Sequence, residues 1–518
     1  MWRTCRFLAA VVCLSVVSLP LLLLAGAQLC LPHQHPDPEA VVHEVQRRVN
    51  ESISRRQLLR LEENDQCGIG NPIDDCWRCN PNWRNDAQIL ADCAIGFGHD
   101  ALGGKGGQAY YVTDPSDSDP VNPAPGTLRY GVVQAEPLWI LFSRNMIINL
   151  KYQLPVSSFK TIDGRGAKVE ITGKGCIILD SVTNVIIHNI HIHHCKPSDN
   201  AKIRTSPTQV SARGRTDGDG ISVYASSKIW IDHCSLSYCT DGLIDVTRGS
   251  TAVTISNSLF SHHDKVMLLG HSDDFVADKG MQVTVAFNHF GEGLMERMPR
   301  CRHGYFHVVN NDYTQWGMYA VGGSAAPTIN SQGNRYMAPQ NSNKEVTKRM
   351  DTKESEWRRW NWRSEGDLMV NGAFFITSGA DLSPQYAEAT SMAPFAASVI
   401  EQLTVNAGIV GLPSTNGGPP PSNPVDSNPG GTQPSPGSVV GGSPPGPVYS
   451  GGGTDGYNPN PGGTPSNGAG TYGYYNPYIN GGGGYAPGWS SSPAKTAASS
   501  CSIVLLFTLL ALSISCKV

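Results

Sequence analysis

The 518-residue chain lacks a charge bias: 39 Lys and Arg stand against 43 Asp and Glu, a net charge of −4. With no overall basic field to hold phosphates, nucleic acid is excluded as the expected partner. Asn-Gly or Asp-Gly turns at strand ends are scarce, which argues against a hairpin-built sandwich. A period near 40 residues is missing as well, and a propeller needs one. Cys76-Trp-Arg-Cys79 has no second ligand pair to complete a zinc site and no βαβ setting for redox work. A comfortable bilayer span is absent at the C-terminus, where the apolar segment Ile503–Ile514 is too short.

The chain is long enough for one large domain with appendages. Arg3 and Arg6, the apolar stretch Leu8–Leu24 and the small residues Ala25-Gly26-Ala27 form a secretory signal, here placed at residues 1–27. The rival reading of that stretch is a membrane anchor. Small residues Ser490 to Ser492, a polar spacer and the short apolar tail form the signal for a glycosylphosphatidylinositol (GPI) anchor, with residues 493–518 removed. Without both ends ten cysteines remain, an even number in a secreted context, so disulfides are expected. Residues 28–66 carry an amphipathic pattern over Ala40–Leu61 and a possible glycosylation acceptor at Asn50-Glu51-Ser52. Residues 412–492 are Gly, Pro, Ser and Asn with almost no aliphatic content, and form an extended spacer without a core.

The domain lies between, at 67–411. Trp83–Cys93 is a helix candidate. From about Ser157 an apolar strand ending in Asn, His or a small polar residue recurs: Val185–Asn189, Ile229–His233, Val253–Asn257, Val283–Asn288 and Phe306–Asn310. Starts at 229, 253, 283 and 306 lie 24, 30 and 23 residues apart, and a second strand series near Ile221, Leu243 and Val266 keeps a similar interval. Two interleaved series with one period predict an all-β, right-handed parallel β-helix, with the recurring Asn forming a ladder inside the turns. After Tyr336 the repeat fades, and 343–411 is expected to pack back as a cap. The insertion His194–Arg215, with Lys202, Arg204, Arg213 and Arg215, suits a polyanion or is an ordinary solvated loop.

The stretch Thr216–Arg302 carries the candidate site. Strand alternation points Asp217 and Asp219 one way, and Asp241 and Asp245 one way. From Asp219 to Gly242 is 23 residues and from Gly242 to Lys265 another 23, so a coil of that length stacks these groups, and an extra loop at Ser272–Gly280 lets the next turn bring Arg297. Four carboxylates without His or Cys suit a hard cation such as Ca²⁺, although no glutamate completes an EF-hand. Adjacent uncompensated carboxylates repel unless a cation sits between them. Lys265, Arg297 and Arg302 are either counter-charges to the acids or recognition groups for an acidic polymer.

NPIDDCWRC (Asn71–Cys79), GFGHDALGGKGG (Gly96–Gly107), IWIDHCSLS (Ile229–Ser237), TDGLIDVTRGS (Thr240–Ser250) and ERMPRCR (Glu296–Arg302) resemble the plant pectate lyases and the related pollen allergens, over roughly Cys67–Gly411. The resemblance implies a secreted parallel β-helix enzyme that cleaves de-esterified homogalacturonan by Ca²⁺-dependent β-elimination, expected as a monomer in the cell wall or on a lipid anchor at the cell surface. It implies Asp217, Asp241 and Asp245 as calcium ligands, with Asp219 a further ligand or their close support. Arg297 would abstract the C5 proton, and Lys265 and Arg302 would bind substrate carboxylate. The alternatives are a polygalacturonase-type hydrolase and a non-catalytic pectin-binding wall protein on the same fold.

Overall fold

A computed structural model describes residues 68–410 apart from Arg84. The predicted N-terminal signal and helix, the spacer and the anchor signal lie outside the described residues. No helix among the described residues is long and apolar enough to cross a membrane.

Three long sheets, of ten, nine and eight strands, are built almost wholly from parallel neighbours one coil apart. Each coil visits them in turn: Ser227–Asp232 in the ten-stranded sheet, Ser235–Ser237 in the nine-stranded, Ile244–Thr247 in the eight-stranded, then Thr251–Ser256 back in the first. This is the right-handed parallel β-helix expected from the repeat. Register follows the sequence interval, with Ile229 opposite Val253, Val253 opposite Val283, and Val283 opposite Phe306. The one long interval, 253 to 283, accommodates the 3₁₀ turn Val276–Gly280, an excursion that leaves the register intact.

The sheets bury two layers. Ile229, Ile231, Val253, Ile255, Val283 and Val285 point into the tube. Trp230, Ile186 and Trp139 face outward from the ten-stranded sheet, yet are covered by Ile73 and Trp77 on one side and Ile400 and Leu403 on the other. Both faces of this sheet are therefore buried, which is why its strands read as continuous apolar runs. Inside the tube, Phe260, Phe290, Tyr313 and Tyr336 stack at centroid distances of 5.1, 4.5 and 4.6 Å.

An asparagine ladder is present, but of the strand-end asparagines only Asn288 belongs to it; it continues through Asn311 and Asn334, while Asn257 bonds Asp232 and Asn310 bonds backbone carbonyls. Asn288 Nδ2 donates to Asn311 Oδ1 at 3.0 Å, and Asn311 Nδ2 donates to Asn334 Oδ1 at 3.0 Å. The same oxygens accept the backbone N–H of Asn288 and Asn311. Each side chain thus satisfies turn amides that regular pairing would strand.

The IWIDHC motif is a buried staple. His233 Nε2 lies 2.8 Å from Asp74 Oδ1 and its Nδ1 lies 3.1 Å from the carbonyl of Gly408, while Asp232 meets His188 Nδ1 at 2.9 Å. One coil thereby ties down both covering segments. Burial alone would raise the Asp74 carboxyl, but His233 and Arg78 beside it hold it down at about 2.

Four expectations need correction. The repeat does not end at Tyr336: Thr347–Arg349, Trp362–Glu365 and Leu368–Val370 form one more coil, masked in sequence by long connecting loops, and only the residues beyond it pack back. Of the Trp83–Cys93 candidate, Ala87–Cys93 is helical, as a 3₁₀ helix. The strand series number three; the nine-stranded sheet was missed because members such as Ser235–Ser237 and His289–Phe290 are too short to show a period. Not every cysteine is bridged. Cys76–Cys93 and Cys176–Cys195 are disulfides and Cys79 is disulfide-bonded, but Cys234, Cys239 and Cys301 are free thiols.

Replacing Asn311 by Ala leaves the Asn288 amide groups without their acceptor inside the wall. A stability loss of about 2–4 kcal/mol is expected from urea unfolding. A change below about 0.5 kcal/mol would show the ladder to be incidental.

Candidate active site

Six of the seven predicted site residues lie at or beside one turn, the passage from the nine-stranded to the eight-stranded sheet, in consecutive coils; Arg302 ends strand Arg300–Arg302 on its far side, beside Gly270–Asp273. Asp217 and Asp219 precede strand Ile221–Tyr224, Asp241 precedes Ile244–Thr247, Lys265 precedes Met267–Leu269 and Arg297 precedes Arg300–Arg302. The strands pair in the 23-residue register, with Ser222 opposite Asp245 and Asp245 opposite Leu268. Lys265 pairs with Glu296 in a small ladder of its own between His263–Lys265 and Leu294–Glu296.

Asp217 is exposed, while Asp219, Asp241 and Asp245 are partly buried. Asp219 is held from two sides: Ser222 Oγ donates to Oδ2 at 2.7 Å, and the Gly242 N–H donates to Oδ1 at 3.0 Å. A side chain at 242 would meet Asp245, since its Cβ would lie 2.1 Å from Asp245 Oδ1. Gly218, at φ 96°, likewise lets the chain pass close to Lys196. Among the described residues, Asp245 Oδ1 is buried and has no hydrogen-bond partner.

The electrostatics follow from this crowding. Burial is the largest influence on Asp219, and with the charges of Asp241 and Asp217 it pushes the carboxyl up to about 6 against the Ser222 and Gly242 hydrogen bonds. Burial, then Asp219 and Asp241, push Asp245 well above the usual carboxylate range, with Arg297 pulling the other way. Like charges have been assembled without enough internal compensation, which is the condition in which a cation binds.

The basic residues have different surroundings. Lys265 Nζ donates to Asp241 Oδ1 at 3.1 Å and remains about a third exposed. Arg297 adopts a left-handed φ of 65°, lies 3.4 Å from Glu296 through Nε, and that nitrogen has no hydrogen-bond acceptor among the described residues. Arg302 is more committed, donating from Nε to Asp273 at 2.9 Å and from Nη1 to the carbonyls of Gly270 and His271 at 3.0 Å. Burial first, then Arg300 and Arg297, push the Arg302 guanidinium below its ordinary value. Both readings of these cations thus have a basis: each touches a carboxylate, and each keeps part of its surface in the cleft.

Sequence reasoning missed Ser222, Asp273 and Glu296. Ser222 was detectable as the register partner of Asp245, whereas Asp273 sits in an irregular insertion that no periodicity reaches. The basic insertion is a correction in part. It forms an antiparallel hairpin, Ala201–Arg204 with Val210–Arg213. Arg204 binds Val121 O and Asn122 Oδ1, and Arg213 binds Asp180 at 2.8 Å, so only Lys202 and Arg215 stand exposed.

The structure is thus a parallel β-helix with a cluster of acids beside Lys265 and Arg297 at one turn of its wall. The family model described as "Pectate lyase" matches residues 149–410. The chain is 59% identical over 420 residues to "Probable pectate lyase 12" of Arabidopsis thaliana, covering 80% of this chain and 86% of that one. It is 58% identical over 393 residues to "Pectate lyase" of Zinnia elegans, covering 75% and 96%. The crystal structure of the major allergen from cedar pollen superposes with a TM-score of 0.64 at 49% identity, over 66% of this chain and 100% of that one. The chain belongs to the pectate lyase family.

The raised Asp219 carboxyl has a consequence for stability. Between about pH 4 and 6 the folded state keeps a proton that the unfolded chain has released, so this group's contribution is largest at low pH and falls as pH rises. Buried histidines such as His307, pushed down to about 4, titrate in the same window with the opposite sign. The diagnostic is therefore a difference. In chelator, the melting temperature of Asp219→Asn minus that of wild type should grow from pH 4 to pH 6.5, and a flat difference would contradict the assigned repulsion.

Proposed function

We propose that this enzyme cleaves de-esterified homogalacturonan by calcium-dependent β-elimination, leaving 4,5-unsaturated oligogalacturonides. The observation that carries the reading is the partnerless Asp245 Oδ1, buried between carboxylates and beside Arg297. An oxygen-only donor set fits Ca²⁺, with Asp217, Asp241 and Asp245 as ligands. Asp219 serves as a further ligand, or as the clamp that fixes Gly242 through its N–H. When bound, calcium neutralises the uronate carboxylate and so acidifies the adjacent C5–H.

Arg297 then accepts the C5 proton. The C–H electron pair becomes the C4=C5 double bond, the C4–O glycosidic bond breaks, and the departing oxygen is protonated from water. Arginine ordinarily keeps its proton, so the site must favour the neutral guanidine. Lys265 and the free edge of Arg302 receive substrate carboxylates, as a point charge and a planar fork respectively. The hydrolase alternative would use aspartates as acid and base; the cations beside them, Lys265 on Asp241 and Arg297 near Asp245, favour the eliminative reading on a polyanion. The same reading places the enzyme in the plant cell wall as a secreted monomer, tethered through a GPI anchor; its support is the terminal signals of the sequence.

Ultraviolet absorbance of the unsaturated product from polygalacturonate should rise with calcium and stop with chelator. Arg297→Lys should lower turnover at least about 1,000-fold, roughly 4 kcal/mol, with calcium-dependent polymer binding retained. New reducing ends without absorbance, or near-normal turnover in the variant, would contradict the mechanism.

A further inference from the structure

On the outer side of the nine-stranded sheet, apart from the turn that holds the aspartates, strands Val169–Lys174 and His191–Lys196 set Glu170 directly opposite His191. His193, two residues on, shares the face of His191 by strand alternation. Each of the three offers one ligand atom, and these atoms lie within 4.8 Å of one another. All three side chains are partly buried. The rings of His191 and His193 lie 4.3 Å apart at a tilt of 43°.

The local hydrogen bonding is compatible with a cation on His193 Nε2. His193 Nδ1 lies 2.8 Å from His194 Nδ1, so at most one proton sits between these two rings. On the other side, His193 Nε2 lies 3.0 Å from Glu170 Oε2. With His194 as the donor between the rings, His193 Nε2–H donates to Glu170; with His193 as the donor, its Nε2 lone pair faces the carboxylate and is open to a cation. Lys168 does not fill the gap, because it takes the other oxygen, Oε1, at 2.9 Å. Bonds of about 2.0–2.1 Å in a tetrahedral zinc site put neighbouring ligand atoms roughly 3.3 Å apart; the His193–Glu170 pair lies at 3.0 Å, and all three ligand atoms lie within 4.8 Å of one another.

Two imidazoles and one carboxylate, with a fourth position left to water, are the donors of a borderline divalent ion. They contrast with the oxygen-only cluster around Asp245. We propose that Glu170, His191 and His193 form a second metal site of this protein, selective for Zn²⁺ or a similar transition-metal dication, with His194 fixing the tautomer of His193. The site is separate in sheet and in chemistry from the aspartate cluster.

The test is a Zn²⁺ titration by isothermal calorimetry on untagged protein stripped of metal, with Co²⁺ absorption as a second readout. One ion per chain should bind to wild type. His191→Ala and His193→Ala should each weaken binding at least about 10-fold, as should Glu170→Gln, which keeps side-chain shape. His194→Ala should weaken it about 10-fold as the loss of an orienting partner. Asp241→Asn and Asp245→Asn should leave the zinc isotherm unchanged. Undiminished zinc binding in Glu170→Gln and both His→Ala variants, or loss of zinc binding in the aspartate variants, would overturn the assignment. So would the absence of saturable binding to wild type.

Discussion

Parallel register between coils is the constraint on which both the wall and the site depend. Ser222, Asp245, Leu268 and Arg300 are successive partners across the eight-stranded sheet. A slip of one residue in any pair would turn the outward groups inward, because side chains alternate faces. The site therefore inherits its geometry from the backbone ladder, and the asparagine and aromatic stacks inside the tube hold that ladder in step. Function is borne by the turns, whose side chains need not fill the core.

Stacking like on like serves the interior but penalises the exterior. Phe over Phe and Asn over Asn gain contact and hydrogen bonds. Asp near Asp gains only repulsion, and burial first, then that repulsion, makes Asp219 and Asp245 hold protons more tightly. A binding site can be made from that penalty: the repulsion is relieved when a cation arrives, and the same field draws Arg297 and Lys265 to the rim. The two covering segments solve a different problem. They bury the outer face of the ten-stranded sheet and are pinned by Asp74, His233 and Gly408.

Much of this was legible in the sequence because a solenoid repeats. The Asn at strand ends, the 23-residue interval and the acid pairs all follow from one coil length, so Asp217, Asp219, Asp241, Asp245 and Lys265 could be aligned without coordinates. Arg297 required recognising one insertion. What stayed hidden has a common cause. From Ser235 onward the third sheet uses strands of two or three residues, too short for a period, and the last coil is separated from the others by loops that break the interval. Asp273 reaches Arg302 from an insertion of irregular backbone. Cysteine parity failed because Cys234 and Cys301 are buried as small apolar groups, a use that counting does not reveal.

We propose that the partnerless Asp245 Oδ1 is a calcium ligand. It is tested most directly by calorimetric titration of Ca²⁺ into wild type and Asp245→Asn, both stripped of metal. The account predicts a saturable calcium isotherm for wild type that is abolished in the variant, while the variant melts no lower than wild type in chelator because the repulsion has gone. Equal calcium affinity in the two proteins would contradict it.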